Sequence, residues 1–193
     1  MLELKGIAGA IYLLRDVRRQ GWLDRGVPEE RCESVFDHSV HASLAGYHFT
    51  RKFYIPHMLL VHDLSELIVG DITPHDNIPP EEKRRRETEA MHDLTKDYSY
   101  GQEVMELWQE YDQGQTPEAK IAKQLDKLDA AVKALVYEAQ GFEVSEFYPY
   151  TQRKLTDPDL QEILEILLRK EHDLKDSHGV YFRLLSERCQ TRR

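Results

Sequence analysis

The chain has 193 residues, of which 32% are charged, and its formal net charge at pH 7 is −9. This length suits one domain with a sizeable core, and the negative charge argues against binding to DNA or anionic membranes by bulk attraction. No apolar run is long enough for a membrane-spanning helix. The interrupted apolar pattern of residues 1–20 predicts a helix rather than a signal peptide, so Cys32 and Cys189 are expected to be reduced thiols of a cytoplasmic protein.

Helical periodicity dominates the chain, and no apolar run alternates as a strand would. The pattern predicts helices over residues 7–17, 37–49, 55–70, 79–98, 103–111, 116–141 and 157–170. The segment 55–70 is apolar nearly all round, which predicts a single buried helix that ends at Gly70. Thr116 as the N-cap and Pro117 in the first turn favour the start of the long helix, which Gly141 ends. The expected fold is one all-α domain, with loops near residues 20–36, 70–79 and 141–157.

The dipeptide His-Asp occurs four times, and the surroundings of the copies distinguish them. The copies at His92 and His172 lie in charged helical segments, and the copy at His75 lies in a proline-rich loop. Only His62-Asp63 follows an apolar run, where burial of both groups is costly unless a partner satisfies them. A divalent cation is such a partner, because imidazole and carboxylate are among its usual ligands.

A metal site needs further ligands, and two other predicted helices offer them. His38 lies near the start of the segment 37–49, and Asp126 lies between Leu125 and Leu128, where it faces the same cost of burial. Helical bundles build metal sites from inward-facing side chains of this kind, here His38, His62, Asp63 and Asp126. The set suits a divalent ion of Mn, Co, Mg, Fe, Ni or Zn. Spacing alone leaves three rival ligands open, namely His41, His48 and Asp129.

The order of these residues resembles the HD-domain metal-dependent phosphohydrolases, and among them the branch of 5′-deoxynucleotidases. The matching pieces are "RRQGW" (18–22), "ESVFDHS" (33–39), "LLVHDLSELIVGDITPHDNIPPEEKRRRETEAM" (59–91), "LWQEY" (107–111) and "AKQLDKLDA" (122–130). A lone His-Asp dipeptide is a weak signal, whereas these pieces occur in order. The resemblance implies a single HD domain over residues 1–193, with a metal-site core at about 14–140 and C-terminal helices at 141–193.

The resemblance also implies roles for individual residues. The metal ligands of the family match His38, His62, Asp63 and Asp126. Arg19 matches an arginine that orients the phosphate, although a shift of one residue would exchange it for Arg18. Trp22 is placed to contact the base or the sugar.

Glu66 and Asp71 match acidic residues near the phosphate, and two interpretations of them compete. They act as general acid and base groups, or they hold a second divalent ion together with the carbonyl of Ile72. A carboxylate that coordinates a metal is a poor proton carrier. Glu66 follows His62 by four residues, so both side chains would share one face of a continuous helix.

The implied activity is hydrolysis of deoxyribonucleoside 5′-monophosphates by a metal-dependent phosphoric monoester hydrolase. The expected partners are the nucleotide and a second copy of the chain in a homodimer, without nucleic acid or membrane. Two alternatives stay open: an HD phosphohydrolase or phosphodiesterase acting on another nucleotide, and a non-catalytic helical module stabilised by a metal. Glu66 and Asp71 favour an enzyme, because a structural metal site would not need them.

The basic run at residues 83–86 does not predict nucleic-acid binding. Glutamates surround it and no aromatic residue interrupts it, which is typical of a solvated helix face. Lys83 is the one residue of the run that could reach the site.

Overall fold

The computed structural model describes residues 6–191, and its regular structure is helical. The α-helices in chain order are α1 (Ile7–Leu13), α2 (Gln20–Leu23), α3 (Val35–Thr50), α4 (Tyr54–Val61), α5 (Glu66–Val69), α6 (Pro80–Thr95), α7 (Gly101–Gln113), α8 (Pro117–Glu138), α9 (Phe147–Lys154), α10 (Pro158–Leu168) and α11 (Ser177–Thr191). The all-α prediction is confirmed. The predicted N-terminal helix is present from Ile7, while residues 1–5 and 192–193 lie outside the described part. Within that part, none of the helices combines the length and apolar character needed to cross a membrane.

Helix α8 forms the centre of the core. Its first turn is capped as predicted, because the Thr116 hydroxyl accepts a hydrogen bond from the Ala119 amide at 3.1 Å. The inward face of α8 packs against α3, α4, α10 and α11, and it includes the fully buried residues Leu125, Leu128, Val132 and Leu135. Asp126 lies in the same stretch and is 2% exposed, so the packing of the leucines carries this carboxylate into the interior.

The apolar segment 55–70 contains two helices, so the prediction of a single helix is wrong. α4 ends just before His62, α5 begins at Glu66, and hydrogen bonds between residues three apart hold the turn between them. Nδ1–H of His62 donates to the Leu59 carbonyl at 2.7 Å, the acceptor that the Asp63 amide would use in a continuous α-helix. The histidine side chain competes with the helix for this carbonyl. His62 and Glu66 therefore do not share one continuous helical face.

Helix α9 lies within the segment 141–157, which the sequence predicts as a loop. Its eight residues are too few for a stable isolated helix, but the rest of the protein holds two of its aromatic residues. The rings of Phe147 and Trp22 lie 4.2 Å apart between centroids, and the Tyr148 hydroxyl donates to Glu138 Oε2 at 2.5 Å. Tertiary contacts thus stabilise a helix that the local sequence does not predict.

Helices α3 and α4 approach each other closely at Gly46. A Cβ atom at this position would lie 3.1 Å from side-chain atoms of both Ile55 and Leu59, and 3.3 Å from the Pro56 nitrogen. Because α3 carries His38 and α4 leads into the His-Asp pair, this contact sets the spacing between the two histidine-bearing elements.

We expect Gly46→Val to lower the free energy of unfolding by about 1–3 kcal/mol, because the added groups meet atoms of α4 that are already close. Urea unfolding of the variant measures the change. Leu44→Val is the matched control, since it introduces the same residue into α3 at a position that is 48% exposed. Equal stability of the two variants would contradict the close packing.

Candidate active site

Four side chains from three helical segments converge inside the protein. His38 belongs to α3, His62 and Asp63 follow α4, and Asp126 belongs to α8. His38 Nε2 lies 3.2 Å from Asp126 Oδ1, and His62 Nε2 lies 3.1 Å from Asp63 Oδ2. The crossing distances are 3.8 Å from His38 Nε2 to Asp63 Oδ2, and 4.0 Å from His62 Nε2 to Asp126 Oδ1. The structure thus brings the four predicted metal ligands together.

Each imidazole ring is held by a hydrogen bond from its Nδ1 atom. His62 Nδ1 donates to the Leu59 carbonyl at 2.7 Å, and His38 Nδ1 donates to Asp129 Oδ2 at 3.1 Å. The Nε2 atoms of both rings are buried and lie 3.2 Å and 3.1 Å from carboxylate oxygens, but neither makes a well-directed hydrogen bond within residues 6–191. Outer hydrogen bonds of this kind orient histidines that bind metals. The donor set therefore fits a divalent ion held by two nitrogen and two carboxylate ligands.

The three rival ligands lie behind the cluster or away from it. Asp129 accepts hydrogen bonds from Nδ1 of both His38 and His41, the second at 3.2 Å, so it supports the far side of the His38 ring. His48 Nδ1 lies 2.7 Å from the Ser186 hydroxyl. The geometry distinguishes residues that are one helical turn apart, which spacing alone could not do.

The protonation of the cluster depends on the neighbouring charges. Burial and the Arg19 cation lower the pKa of His38, but the carboxylates of Asp126 and Asp129 outweigh both and raise it to about 10. Burial raises the pKa of Asp126, but the Lys127 ammonium and the His38 imidazole hold it well below its ordinary value. His38 therefore carries a proton in the ion-free protein, and binding of a divalent cation would release it.

Arg19 lies among the acidic groups of the site. Its Nη1 atom is 3.2 Å from Asp63 Oδ2, 3.5 Å from Asp71 Oδ1 and 3.9 Å from Glu66 Oε2. Burial lowers the pKa of the guanidinium, but the three carboxylates raise it well above its ordinary value. Arg18 lines a different surface cavity and donates to a carbonyl of the preceding 3₁₀ turn. Arg19, and not Arg18, thus lies beside the predicted ligands.

Glu66 is a buried acidic group near Arg19. It is 5% exposed, and its Oε2 atom has no hydrogen-bond partner in the described structure. Burial, together with the charges of Asp63 and Asp71, raises the pKa of Glu66 well above its ordinary value. Its surroundings therefore favour the protonated form of this carboxyl group more than water does.

The other two groups that the sequence offers to a second ion have partners in the protein. Asp71 Oδ2 accepts a hydrogen bond from the Gln20 amide at 2.6 Å. The carbonyl of Ile72 accepts one from Lys83 Nζ at 2.9 Å, and this ammonium also lies 3.6 Å from Glu87 Oε1. A second ion at the Ile72 carbonyl would have to displace Lys83.

Trp22 belongs mainly to the hydrophobic core. It is 3% exposed, its indole N–H donates to Glu33 Oε2 at 3.1 Å, and its ring contacts those of Tyr137 and Phe147. Trp22 also lines the cleft above the cluster, so only a small part of it faces that space. Its predicted contact with the base or sugar stays a prediction.

The cluster opens into a cleft of about 1030 Å³. The site residues that the sequence predicts lie on one side of this cleft. Helices α7, α8 and α9 form the other side with residues that the sequence reasoning did not assign, including Tyr111, Lys123, Lys127, Phe147 and Arg153. Lys120, Lys123 and Lys127 recur at helical spacing beside Asp126, which was a usable signal. The residues of α9 gave none, because that helix was not predicted.

The chain is similar in sequence to a known family and to several named proteins. The sequence profile of the HD domain family matches residues 11–165. The human protein named 5′-deoxynucleotidase HDDC2 is 39% identical over 163 residues, which cover 80% of this chain and 79% of that protein. The Schizosaccharomyces pombe protein named 5′-deoxynucleotidase hdd1 is 37% identical over 135 residues, which cover 65% of this chain and 67% of that protein.

A solved structure shares the fold. The conserved hypothetical protein from Pyrococcus furiosus superposes with a TM-score of 0.68 at 28% identity, covering 83% of this chain and 96% of the other. The family profile spans most of the sequence, and the human relative matches most of both chains. This chain therefore belongs to the HD domain family.

Proposed function

We propose that this chain hydrolyses deoxyribonucleoside 5′-monophosphates to deoxynucleosides and phosphate. A divalent ion of Mn, Co, Mg, Fe, Ni or Zn would be held by His38, His62, Asp63 and Asp126. The main support is the pair of buried imidazole nitrogens that lack hydrogen-bond partners and face two carboxylates beside an arginine. The names of the human and yeast relatives support the substrate class.

In the proposed mechanism, Arg19 binds the phosphate group. The chemistry that a divalent ion supplies when bound is polarisation of the phosphate and a lower pKa for a coordinated water molecule. The guanidinium fork of Arg19 matches the geometry of phosphate oxygens. Arg19 now contacts Asp63 and Asp71, so it would exchange part of these contacts for the substrate.

Glu66 is proposed as the general acid that gives its proton to the departing 5′ oxygen. The raised pKa of Glu66 favours its protonated form, which a general acid requires. Asp71, fixed by the backbone amide of Gln20, would keep Arg19 in place and act with Glu66 as the second acid or base group. The competing interpretation makes Glu66, Asp71 and the Ile72 carbonyl ligands of a second ion. The Lys83 ammonium at that carbonyl favours the first interpretation, because a second ion would have to displace it.

The remaining features of the proposal concern the whole chain. In this proposal residues 1–193 belong to a single HD domain, with the metal-site core at about 14–140 and C-terminal helices after it, one of which contributes to the cleft wall.

The family resemblance supports a homodimer. Cys32 and Cys189 are both free and buried, which agrees with reduced thiols and a cytoplasmic location. Trp22 contributes its small cleft-facing part to the base or sugar subsite.

We expect phosphate release that depends on a divalent ion and favours deoxyribo- over ribonucleoside 5′-monophosphates by about 10- to 100-fold in kcat/KM. A substrate panel with each metal ion or with a chelator measures this. Chelation should abolish turnover, while circular dichroism still reports a folded chain, because packing of the hydrophobic core does not require a bound ion. If chelation unfolds the chain and no nucleotide is hydrolysed, the metal has a structural role instead.

Asp63→Asn should lower bound metal and turnover together by at least about 100-fold, because it removes a charged ligand from the inner cluster. Metal analysis after dialysis and phosphate release are the measurements. The matched control is Asp93→Asn, which alters another His-Asp pair whose aspartate side chain is 60% exposed. Full activity of Asp63→Asn would rule out this ligand assignment.

Arg19→Ala should lower kcat/KM by about 100-fold or more, because a preorganised cation at the phosphate is lost. Arg18→Ala is the control, since Arg18 lines another cavity. Arg19→Lys should recover only part of the loss, because an ammonium keeps the charge but not the fork. The assignment fails if Arg18→Ala causes the larger loss.

A further inference from the structure

Lys127 lies beside the candidate metal site and within the matching piece 122–130, yet neither the family resemblance nor the proposed mechanism gives it a role. Its Nζ atom is 2.9 Å from Asp126 Oδ2, and its side chain is 36% exposed and lines the cleft. The other oxygen of the same carboxylate, Oδ1, is the one that faces His38 Nε2 at 3.2 Å. Lys127 therefore contacts the oxygen of Asp126 that does not face His38, on the side of the cluster that opens to the cleft.

Asp126 does not need Lys127 for its orientation. The Tyr111 hydroxyl donates to the same Oδ2 atom at 2.5 Å, and the Tyr111 ring packs against His62 with 4.9 Å between centroids. A neutral tyrosine can thus hold this oxygen by itself. An ammonium has three N–H donors, and Asp126 is the one ion-pair partner of Lys127 within residues 6–191. Two donors are left to face the cleft.

The charges of the site also call for a further cation. The three charges of Asp63, Asp71 and Asp126 equal in number those of a divalent ion and Arg19 together, and each of these aspartates lies within ion-pair distance of Arg19 or Lys127. A phosphate dianion entering this site would find no surplus of positive charge. The field that attracts it must come from additional side chains near the cluster.

Other nearby cations are less suited to this role. Lys83 is engaged by the Ile72 carbonyl and by Glu87. Lys123 lies over the Tyr111 ring, with Nζ 4.4 Å from its centroid. Lys127 is the lysine whose ammonium directly contacts one of the predicted ligands.

We infer that Lys127 is a second phosphate-binding residue, which contacts the substrate phosphate from the Asp126 side as Arg19 does from the Asp63 side. This inference rests on the proposed function for the nature of the ligand. The ligand class is a phosphate monoester dianion, and inorganic phosphate, the reaction product, presents the same oxygens to the two cations.

The test measures binding of inorganic phosphate to the Mn²⁺-loaded protein by calorimetry, and metal content after dialysis. Lys127→Met should still bind Mn²⁺, because the four predicted ligands are unchanged, but should bind phosphate about 10- to 100-fold more weakly, because one charge-assisted hydrogen bond is lost. Lys127→Arg should recover most of the affinity. Lys127→Gln, which keeps an N–H donor for Asp126, gives the same reading if the methionine variant does not fold.

Two control variants separate phosphate binding from a purely structural role. Tyr111→Phe should show the opposite pattern, with weaker Mn²⁺ binding and less change in phosphate affinity of the loaded protein, since it removes the hydrogen bond that orients Asp126. Lys133→Met alters another α8 lysine, whose Nζ is 3.9 Å from Glu33 Oε1 outside the cleft, and should change neither quantity.

The outcomes also separate this inference from the proposed activity. If Lys127→Met and Lys127→Gln bind Mn²⁺ more weakly but keep phosphate affinity once they are saturated with Mn²⁺, Lys127 only orients Asp126 and the inference is wrong. It is equally wrong if the Mn²⁺-loaded unaltered protein binds no phosphate. If phosphate binds through Lys127 but no deoxynucleotide is hydrolysed, the inference stands and the proposed function fails.

Discussion

Two buried histidines, the buried Asp126 and the partly exposed Asp63 lie where α3, α4 and α8 meet, and the site depends on how these groups are satisfied. Burial of charged groups is costly unless each has a partner. The Leu59 carbonyl and Asp129 satisfy the outer nitrogens of the two rings, whereas the inner nitrogens have no hydrogen-bond partner in the described structure. The fold therefore orients both rings through their outer nitrogens and leaves the inner nitrogens available to a cation.

The net charge of the protein is negative, whereas cations in its cleft can attract an anion. The net charge of −9 repels anions at long range, but Arg19 and Lys127 each lie within ion-pair distance of an aspartate of the cluster. Their charges act at close range from partly buried side chains, where they count for more than distant surface charge. Recognition of an anion by this acidic protein is thus a local property, and it depends on the positions of a few cations.

Arg19 needs a firm anchor because it lies just before the short helix α2, in a segment with little regular structure. Its amide donates to the Glu33 carbonyl at 3.0 Å, and the Glu33 amide donates in turn to the Tyr137 hydroxyl at 2.8 Å. The Glu33 carboxylate also accepts from the Trp22 indole. The buried tyrosine of α8 and this tryptophan therefore tie the segment to the core. Arg19 owes its position to the same helix that carries Asp126.

The sequence by itself determined the helical class, the N-cap at Thr116 and the set of candidate ligands, because periodicity and the cost of burying His62-Asp63 are local signals. Helical spacing could not choose between His38 and His41 or between Asp126 and Asp129, since residues one turn apart have the same periodicity, and only the family resemblance implied His38 and Asp126. The tertiary structure gives these residues different surroundings, through the direction of each side chain. It also decided the formation of α9, which depends on contact with a segment distant in the chain. The helix break at His62 and the ion pair of Lys127 involve close neighbours in the sequence, but periodicity does not determine the direction of those side chains.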